Sequence, residues 1–287
     1  MSCIAPIKLI EEDRVVPCGG CNFCLSRRRS DWSVRLFNHF MDSFNAFFVT
    51  LTYDDDHIVY GSEATGTLER EVIKTLHHSL RKINARATKS RESQGQSIFK
   101  DGKGNSRRIQ YYTVGEYGSE GARPHYHSII FNVYPETLRK LAEGSLWNKG
   151  MIKVGSVTHA SINYVTKYVI DRDTHSDCAP FSMMSKGLGV GYLERNSAMH
   201  TRGQLKGYVV HQGRRVAMPR YYRDKIFTEF EREYLTIEGM KEMDNRYFEE
   251  LDRLIAMDVY RPADYIEERK QRDHDQIRIK SIKLNTI

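Results

Sequence analysis

Hydrophobic and polar positions alternate along this chain in two rhythms. In "NAFFVTLTYDDDH" apolar and β-branched residues run almost unbroken. Strand alternation sends Phe47, Val49, Leu51 and Tyr53 one way and Phe48, Thr50 and Thr52 the other. The next segment, "TLEREVIKTLHHSLRKINARA", places Leu68, Val72, Leu76, Leu80 and Ile83 on one stripe and predicts an amphipathic helix. After a polar loop, "KSRESQGQSIFKDGKGNS", come two strand-like runs, "RRIQYYTVGEYG" and "PHYHSIIFNVY", whose short glycine-bearing connection predicts an antiparallel hairpin. "PETLRKLAEG" is a short helix opened by Pro135, "MIKVGSV" a fourth strand and "HASINYVTKYVIDR" a third helix. Over residues 45–175 the order is therefore β-α-β-β-α-β-α. That order predicts an α+β fold, a ferredoxin-like split βαβ sandwich with a central antiparallel sheet.

The flanks read differently. Residues 1–44 form a Cys- and Arg-rich element ending in a helix, with Trp32, Leu36, Phe37 and Phe40 at helical spacing. Residues 176–223 read as irregular, basic and rich in glycine, with Gly187, Gly189 and Gly191 in a flexible loop; residues 224–287 read as a charged, amphipathic helical tail.

Composition adds little to the fold and something to the partner. At 287 residues the chain can bury a sizeable core, and 40% hydrophobic with 28% charged residues suits a folded globular protein. A net charge of +7 and a pI of about 9.0 suit a polyanionic partner. No apolar run reaches the length of a membrane span, and acidic residues interrupt "MSCIAPIKLIEEDR" too early for a signal peptide. Five cysteines, three of them within "CGGCNFC", suit a reducing compartment with metal-bound or free thiols. The expectation is a cytosolic protein.

The hairpin carries the chemistry. His125 and His127 are i and i+2 on a strand, so both leave the same face while Tyr126 points opposite. Glu116 lies near the end of the preceding strand, so one carboxylate and two imidazoles can converge as a metal site with open coordination positions. Mixed oxygen and nitrogen ligation suits Mg²⁺ or Mn²⁺ without excluding Zn²⁺. By itself an H-x-H is also ordinary hairpin surface; Glu116 and a second motif, "YVTKY", change its meaning. Tyr164 and Tyr168 are i and i+4 on a predicted helix and share a face, with Lys167 beside them. A phenol with a pKa of about 10 is a weak nucleophile, but a metal-polarised phosphate and an adjacent cation stabilise the charge that develops on attack.

With "VPCGGCNFCLSRRRSDWSVRL", "FFVTLTYDDDH", "VGEYG", "RPHYHSIIF", "INYVTKYV" and "PRYYRDKIF", spread over residues 16 to about 227, the chain resembles the HUH endonuclease superfamily. Within it the chain is most similar to the replication-initiation proteins of microviruses, the gokushovirus branch above all. The resemblance implies that His125 and His127 are metal ligands with Glu116 as third. It makes Tyr164 the first nucleophile, Tyr168 the second and Lys167 the auxiliary cation, and it turns Thr50 and Thr52 toward DNA. Tyr126 departs from the usual aliphatic middle residue of the motif. The implied reaction is transesterification at a single-stranded DNA origin, giving a 5′-phosphotyrosine and a 3′-hydroxyl that primes a host polymerase in the cytoplasm of a bacterial host. The sequence has no G-x-x-x-x-G-K-[ST], so unwinding is expected from a host helicase. The rival readings are a plasmid relaxase or single-strand transposase of the same superfamily, and a non-catalytic module binding single strands on its sheet.

Cys18, Cys21 and Cys24 have the C-x₂-C-x₂-C spacing that suits tetrahedral Zn²⁺ but supply three ligands; Cys3, Cys178 or His39 could complete a structural site, the alternative being free thiols. Arg27, Arg28, Arg29, Arg107, Arg108, Arg214, Arg215, Arg220 and Arg223 are candidates for phosphate contacts, and the tyrosines of "PRYYRDK" for base stacking.

Overall fold

The structure is a computed structural model of the chain; it describes all residues except 1–2, 11–13, 62–65, 119–121, 169–177 and 284–287. In chain order the elements are β1 (Ile7–Leu9), β2 (Arg14–Val16), α1 (Asn22–Asp42), β3 (Ala46–Thr52), α2 (Arg70–Ser93) and β4 (Gln110–Tyr117). There follow β5 (Pro124–Phe131), α3 (Pro135–Ala142), β6 (Ile152–Ser156), α4 (His159–Lys167), β7 (Phe181–Met184) and α5 (Gly191–Thr201). The chain closes with β8 (Tyr208–His211), β9 (Arg214–Ala217), α6 (Arg220–Ile226), α7 (Glu229–Ala256) and α8 (Pro262–Lys283). Contacts group these into one unit of residues 35–190 and another that joins residues 1–34 to 191–287, the division falling within α1.

In the 35–190 unit five strands form an antiparallel sheet in the order β6-β3-β5-β4-β7. The first four lie in the order 4-1-3-2 of a split βαβ sandwich, as the sequence order predicts. The fifth, β7, falls in the segment that reads as irregular. Four residues, "FSMM", carry no period that a pattern can register, and only the pairing with β4 makes them a strand.

Register sorts the sheet into two faces. One buries Val49, Leu51, Tyr53, Tyr126 and Ile130 against Ile73, Leu76 and Leu80 of α2, Leu141 of α3, and Trp147. Within this layer His77 of α2 hydrogen-bonds Thr113 at 3.0 Å, and Thr113 meets Ser128 at 2.7 Å, so the buried polar groups satisfy one another. The buried stripe of α2 is Ile73, Leu76, His77, Leu80 and Asn84. It is rotated from the predicted Leu68–Val72–Ile83 line because Leu68 precedes the helix. The other face carries Phe48, Thr50, Thr52, Glu116, His125 and His127, since Thr50 pairs with His127, Thr52 with His125 and Glu116 with His125. Across it lie α4 and the second half of α1, where His39 meets the Phe131 ring edge-on at 4.5 Å and Phe37 stacks on His159 at 4.6 Å.

The other unit has its own core of Val34, Tyr192, Val209, Met218, Tyr222 and Phe227. Residues 191–226, where the sequence pattern is also irregular, hold α5, the β8–β9 hairpin and α6. The hairpin turns at Gln212 and Gly213, both at positive φ (51° and 73°), the geometry of a two-residue turn that matches strand twist. The helical tail is two helices broken at residues 257–261, where Asp258 and Arg261 also have positive φ. Among the described residues no helix is long and apolar enough to cross a membrane.

Candidate active site and cysteine cluster

The capping box at Thr158 and Ser161 starts α4, and one turn later the helix delivers Tyr164 to the histidine face of the sheet. There the Tyr164 hydroxyl donates to Glu116 Oε1 at 3.0 Å and lies 3.3 Å from His127 Nε2. His127 Nε2 in turn sits 2.9 Å from the same carboxylate oxygen. On its far side His127 Nδ1 meets the Thr50 hydroxyl at 3.0 Å, a group that serves either ring tautomer as donor or acceptor. Phe48 stacks on the His127 ring at 5.6 Å and meets Tyr164 edge-on at 6.1 Å, closing the apolar side. Glu116 and His127 are both buried. Strand alternation already places Phe48 on this face, so the signal for it was present in the sequence.

His125 is placed differently. Its Nδ1 lies 2.6 Å from the Arg123 carbonyl oxygen, which can only accept, so Nδ1 is the protonated nitrogen and Nε2 carries the lone pair. Gly118 packs so close that a Cβ there would fall 2.8 Å from the His125 ring. His125 shares the face and the register rung of Glu116, yet His125, His127 and Glu116 are not a donor set lying wholly within 4.8 Å. The structure thus brings together His127, Glu116 and Tyr164, and leaves His125 beside them.

The donor chemistry fits a divalent cation. Glu116 Oε2 is buried with no hydrogen-bond partner among the described residues. An imidazole and a carboxylate with a spare oxygen are ligands that Mg²⁺ or Mn²⁺ accepts. Burial raises the Tyr164 pKa, and the Glu116 charge and hydrogen bond raise it further. Positive charge beside Glu116 works against that rise. Lys167, also buried, sets its ammonium 4.2 Å from the centre of the Tyr164 ring and 4.7 Å from that of Tyr168. Tyr168 stands at the C-terminal cap of α4, its ring 5.4 Å from Tyr164 and 6.5 Å from His127. The residues that follow it, 169–177, lie outside the described set.

The other candidates belong to the second unit. Arg27 bonds the Met218 carbonyl at 2.7 Å and Asp31 at 3.0 Å. Arg223 bonds the Arg232 carbonyl and Thr236, both at 2.6 Å, while Arg220 pairs with Asp224 and Arg28 is exposed. Burial lowers the pKa of Arg29. In the cysteine cluster Cys3 joins Cys18, Cys21 and Cys24, with all four sulfurs within 4.8 Å of one another, a group that can hold a metal ion. The backbone N–H groups of Gly20 and Cys21 lower the Cys18 pKa to about 6, whereas burial pushes Cys24 up to about 12. Of Cys3, Cys178 and His39, the fold thus brings in Cys3 as the fourth member.

Residues 46–173 match the model of the family described as replication-associated protein ORF2. Over 230 residues the chain is 30% identical to the replication-associated protein VP4 of Bdellovibrio phage phiMH2K, covering 72% of this chain and 66% of that one. The chain belongs to this family of phage replication-associated proteins. Replication-associated protein ORF2 of Spiroplasma virus 4 is 27% identical over 240 residues, 76% of this chain and 70% of its own. Replication-associated protein ORF4 of Chlamydia phage 1 is 26% identical over 284 residues, 84% and 64%. The chain spans about two thirds of the length of these family members. No solved structure matches it significantly. The family segment contains β3 through α4, and so every residue of the histidine–tyrosine site.

Proposed function

We propose that this protein initiates phage DNA replication by nicking and rejoining single-stranded DNA at the origin, with Tyr164 as the attacking group. One observation carries the reading: a helix-borne tyrosine hydroxyl hydrogen-bonded to the carboxylate and within 3.3 Å of the imidazole of a His-x-His hairpin. A Mg²⁺ or Mn²⁺ ion held by His127 and Glu116, with His125 as third ligand, supplies Lewis-acid polarisation of the scissile phosphate. Glu116 orients the Tyr164 hydroxyl, and Lys167 stabilises the charge that builds on the phenolic oxygen and phosphate as attack proceeds. The bond from Tyr164 Oη to phosphorus forms as the bond to the 3′ oxygen breaks, and the phenolic proton ends, in net terms, on that 3′ oxygen. The link retains the phosphodiester's energy, so rejoining needs no nucleotide triphosphate. Tyr168, one turn on, takes the regenerated origin in the second cut. The free 3′-hydroxyl serves a host polymerase, and a host helicase opens the duplex.

The test is an SDS-resistant protein–DNA adduct formed with phage single-stranded DNA and Mn²⁺. The reading expects an adduct that EDTA, Tyr164→Phe and the His125→Ala/His127→Ala pair each abolish, with the phosphate mapped to the Tyr164 peptide. DNA binding without an adduct under any divalent metal would instead identify a non-catalytic single-strand-binding module.

A further inference from the structure

We infer that Cys3, Cys18, Cys21 and Cys24 form a four-thiolate Zn²⁺ site that staples the N-terminal hairpin to the first turn of α1. A ZnS₄ tetrahedron with bonds of about 2.3 Å has sulfur–sulfur edges of about 3.8 Å. Cys3 and Cys21 stand 3.8 Å apart and Cys18 and Cys24 4.0 Å, two edges without a shared corner. A disulfide would need about 2.05 Å, so the sulfurs are spaced for an ion between them.

The backbone is arranged around sulfur as acceptor. Cys18 N–H points at Cys3 Sγ at 3.3 Å, while Gly20 and Cys21 N–H point at Cys18 Sγ at 3.4 and 3.3 Å. Such donors stabilise thiolates and fix their direction. The turn that aims them passes through Gly19 at φ 71°, a conformation glycine adopts freely. Cys21 and Cys24 lie at the N-terminal end of α1, where the exposed N–H groups favour negative charge. On binding, the four S–H protons pass to solvent as four Zn–S bonds form.

The segment also needs a staple. Between Cys3 and Cys18 lies a hairpin of two three-residue strands, with Ile7 49%, Ile10 88% and Val15 62% exposed. Two short strands without a covered face are marginal in water. The four cysteines bracket the hairpin and tie both its ends to α1, whose first residue, Asn22, bonds His274 of α8 through both its backbone and side-chain nitrogens. Zinc here is structural: four protein thiolates leave no open coordination position.

The test uses the full chain purified from zinc-replete cells, and its outcome does not depend on the nicking reaction. Elemental analysis should give about one zinc per chain, and cobalt exchange the intense visible bands of a tetrahedral thiolate site. Cys3→Ser and Cys18→Ser should each cut bound zinc at least about fivefold, and Cys178→Ser should leave it unchanged. Stripping the metal with an organomercurial and chelator should speed amide exchange across residues 7–16 in the wild-type chain, a readout that needs no variant. A zinc-free chain with four reactive thiols and no cobalt spectrum would overturn the site. An iron–thiolate spectrum in place of zinc would overturn the metal, and full zinc in Cys3→Ser would overturn the fourth ligand.

Discussion

Tyr126, between the two histidines, spends its hydroxyl on the opposite side of the sheet from the candidate site. Its oxygen accepts the Glu69 N–H at 2.7 Å, at a helix N-cap with no side-chain cap of its own, and lies 3.1 Å from the Tyr53 hydroxyl, which donates to Glu69 Oε2 at 2.8 Å. Burial raises the Tyr126 pKa to about 12, so the group stays a neutral phenol. In Tyr126→Phe the ring keeps its contacts with Tyr53, Trp147 and Phe181, and no cavity opens. What is lost is the acceptor for the Glu69 N–H. An unsatisfied buried donor costs about 1–3 kcal/mol, and Glu69 is partly accessible, so the lower half of that range applies, about 1–2 kcal/mol. For a unit of this size that is a fall in Tm of about 3–6 °C. Tyr126→Ala also removes the ring and should cost about 3–5 kcal/mol through the cavity alone. Urea unfolding of the three chains, followed by circular dichroism, measures both steps. Adduct formation by Tyr126→Phe, assayed well below its Tm, should match the parent. A parental midpoint for Tyr126→Phe, or one as low as that of Tyr126→Ala, would refute this account of how the histidine strand is anchored to α2.

Thr50→Val deprives His127 Nδ1 of its partner and should weaken Mn²⁺ binding about 10- to 100-fold by calorimetry with little change in Tm; unchanged affinity would count against Thr50 as the orienting group. Burial depresses His39 to about 4, with help from the charges of Arg107 and Arg35, and His77 to about 3, with help from Arg81. The unfolded chain takes up these protons below about pH 6.5 while the folded chain refuses them, so stability is lost as pH falls from there. At pH 5 the loss should be about 2 kcal/mol per histidine, seen as a lower urea midpoint than at pH 7.5, and a flat profile would refute it. Gly150 has φ 152°, and a Cβ there would fall 2.3 Å from the Thr52 carbonyl oxygen, which already accepts the Trp147 indole N–H at 3.0 Å. Gly150→Ala should therefore cost about 3 kcal/mol or more, and a chain with parental Tm would show that the end of β3 yields freely.

The sheet and its faces were legible because β3, β4 and β5 are long enough for alternation to repeat, and a short hairpin connection puts Glu116 opposite His125. Tyr164 and Lys167 were legible for the same reason, as positions on a periodic helix. The rest depends on tertiary contacts that leave no period. β7 exists by its pairing with β4, and the phase of α2 is set by Ile73, which no strand pattern announces. The turn of His125 toward the Arg123 carbonyl is a side-chain rotation, invisible to spacing. Cys3 reaches the other cysteines because a hairpin folds fifteen residues back on themselves, and the C-x₂-C-x₂-C spacing alone cannot choose it over Cys178 or His39.

The strand order β6-β3-β5-β4-β7 also decides which parts of the sheet fluctuate first. Edge strands lose their hydrogen bonds in small, frequent openings, whereas a central strand is released only with its neighbours. The three central strands are those that carry Thr50, His127 and Glu116. Breathing on short timescales is therefore taken up by β6 and β7, and amide exchange should be slowest on the rungs beneath the His127–Glu116 pair. The short β7 works as a guard rail: it moves the sheet's edge one strand away from Glu116.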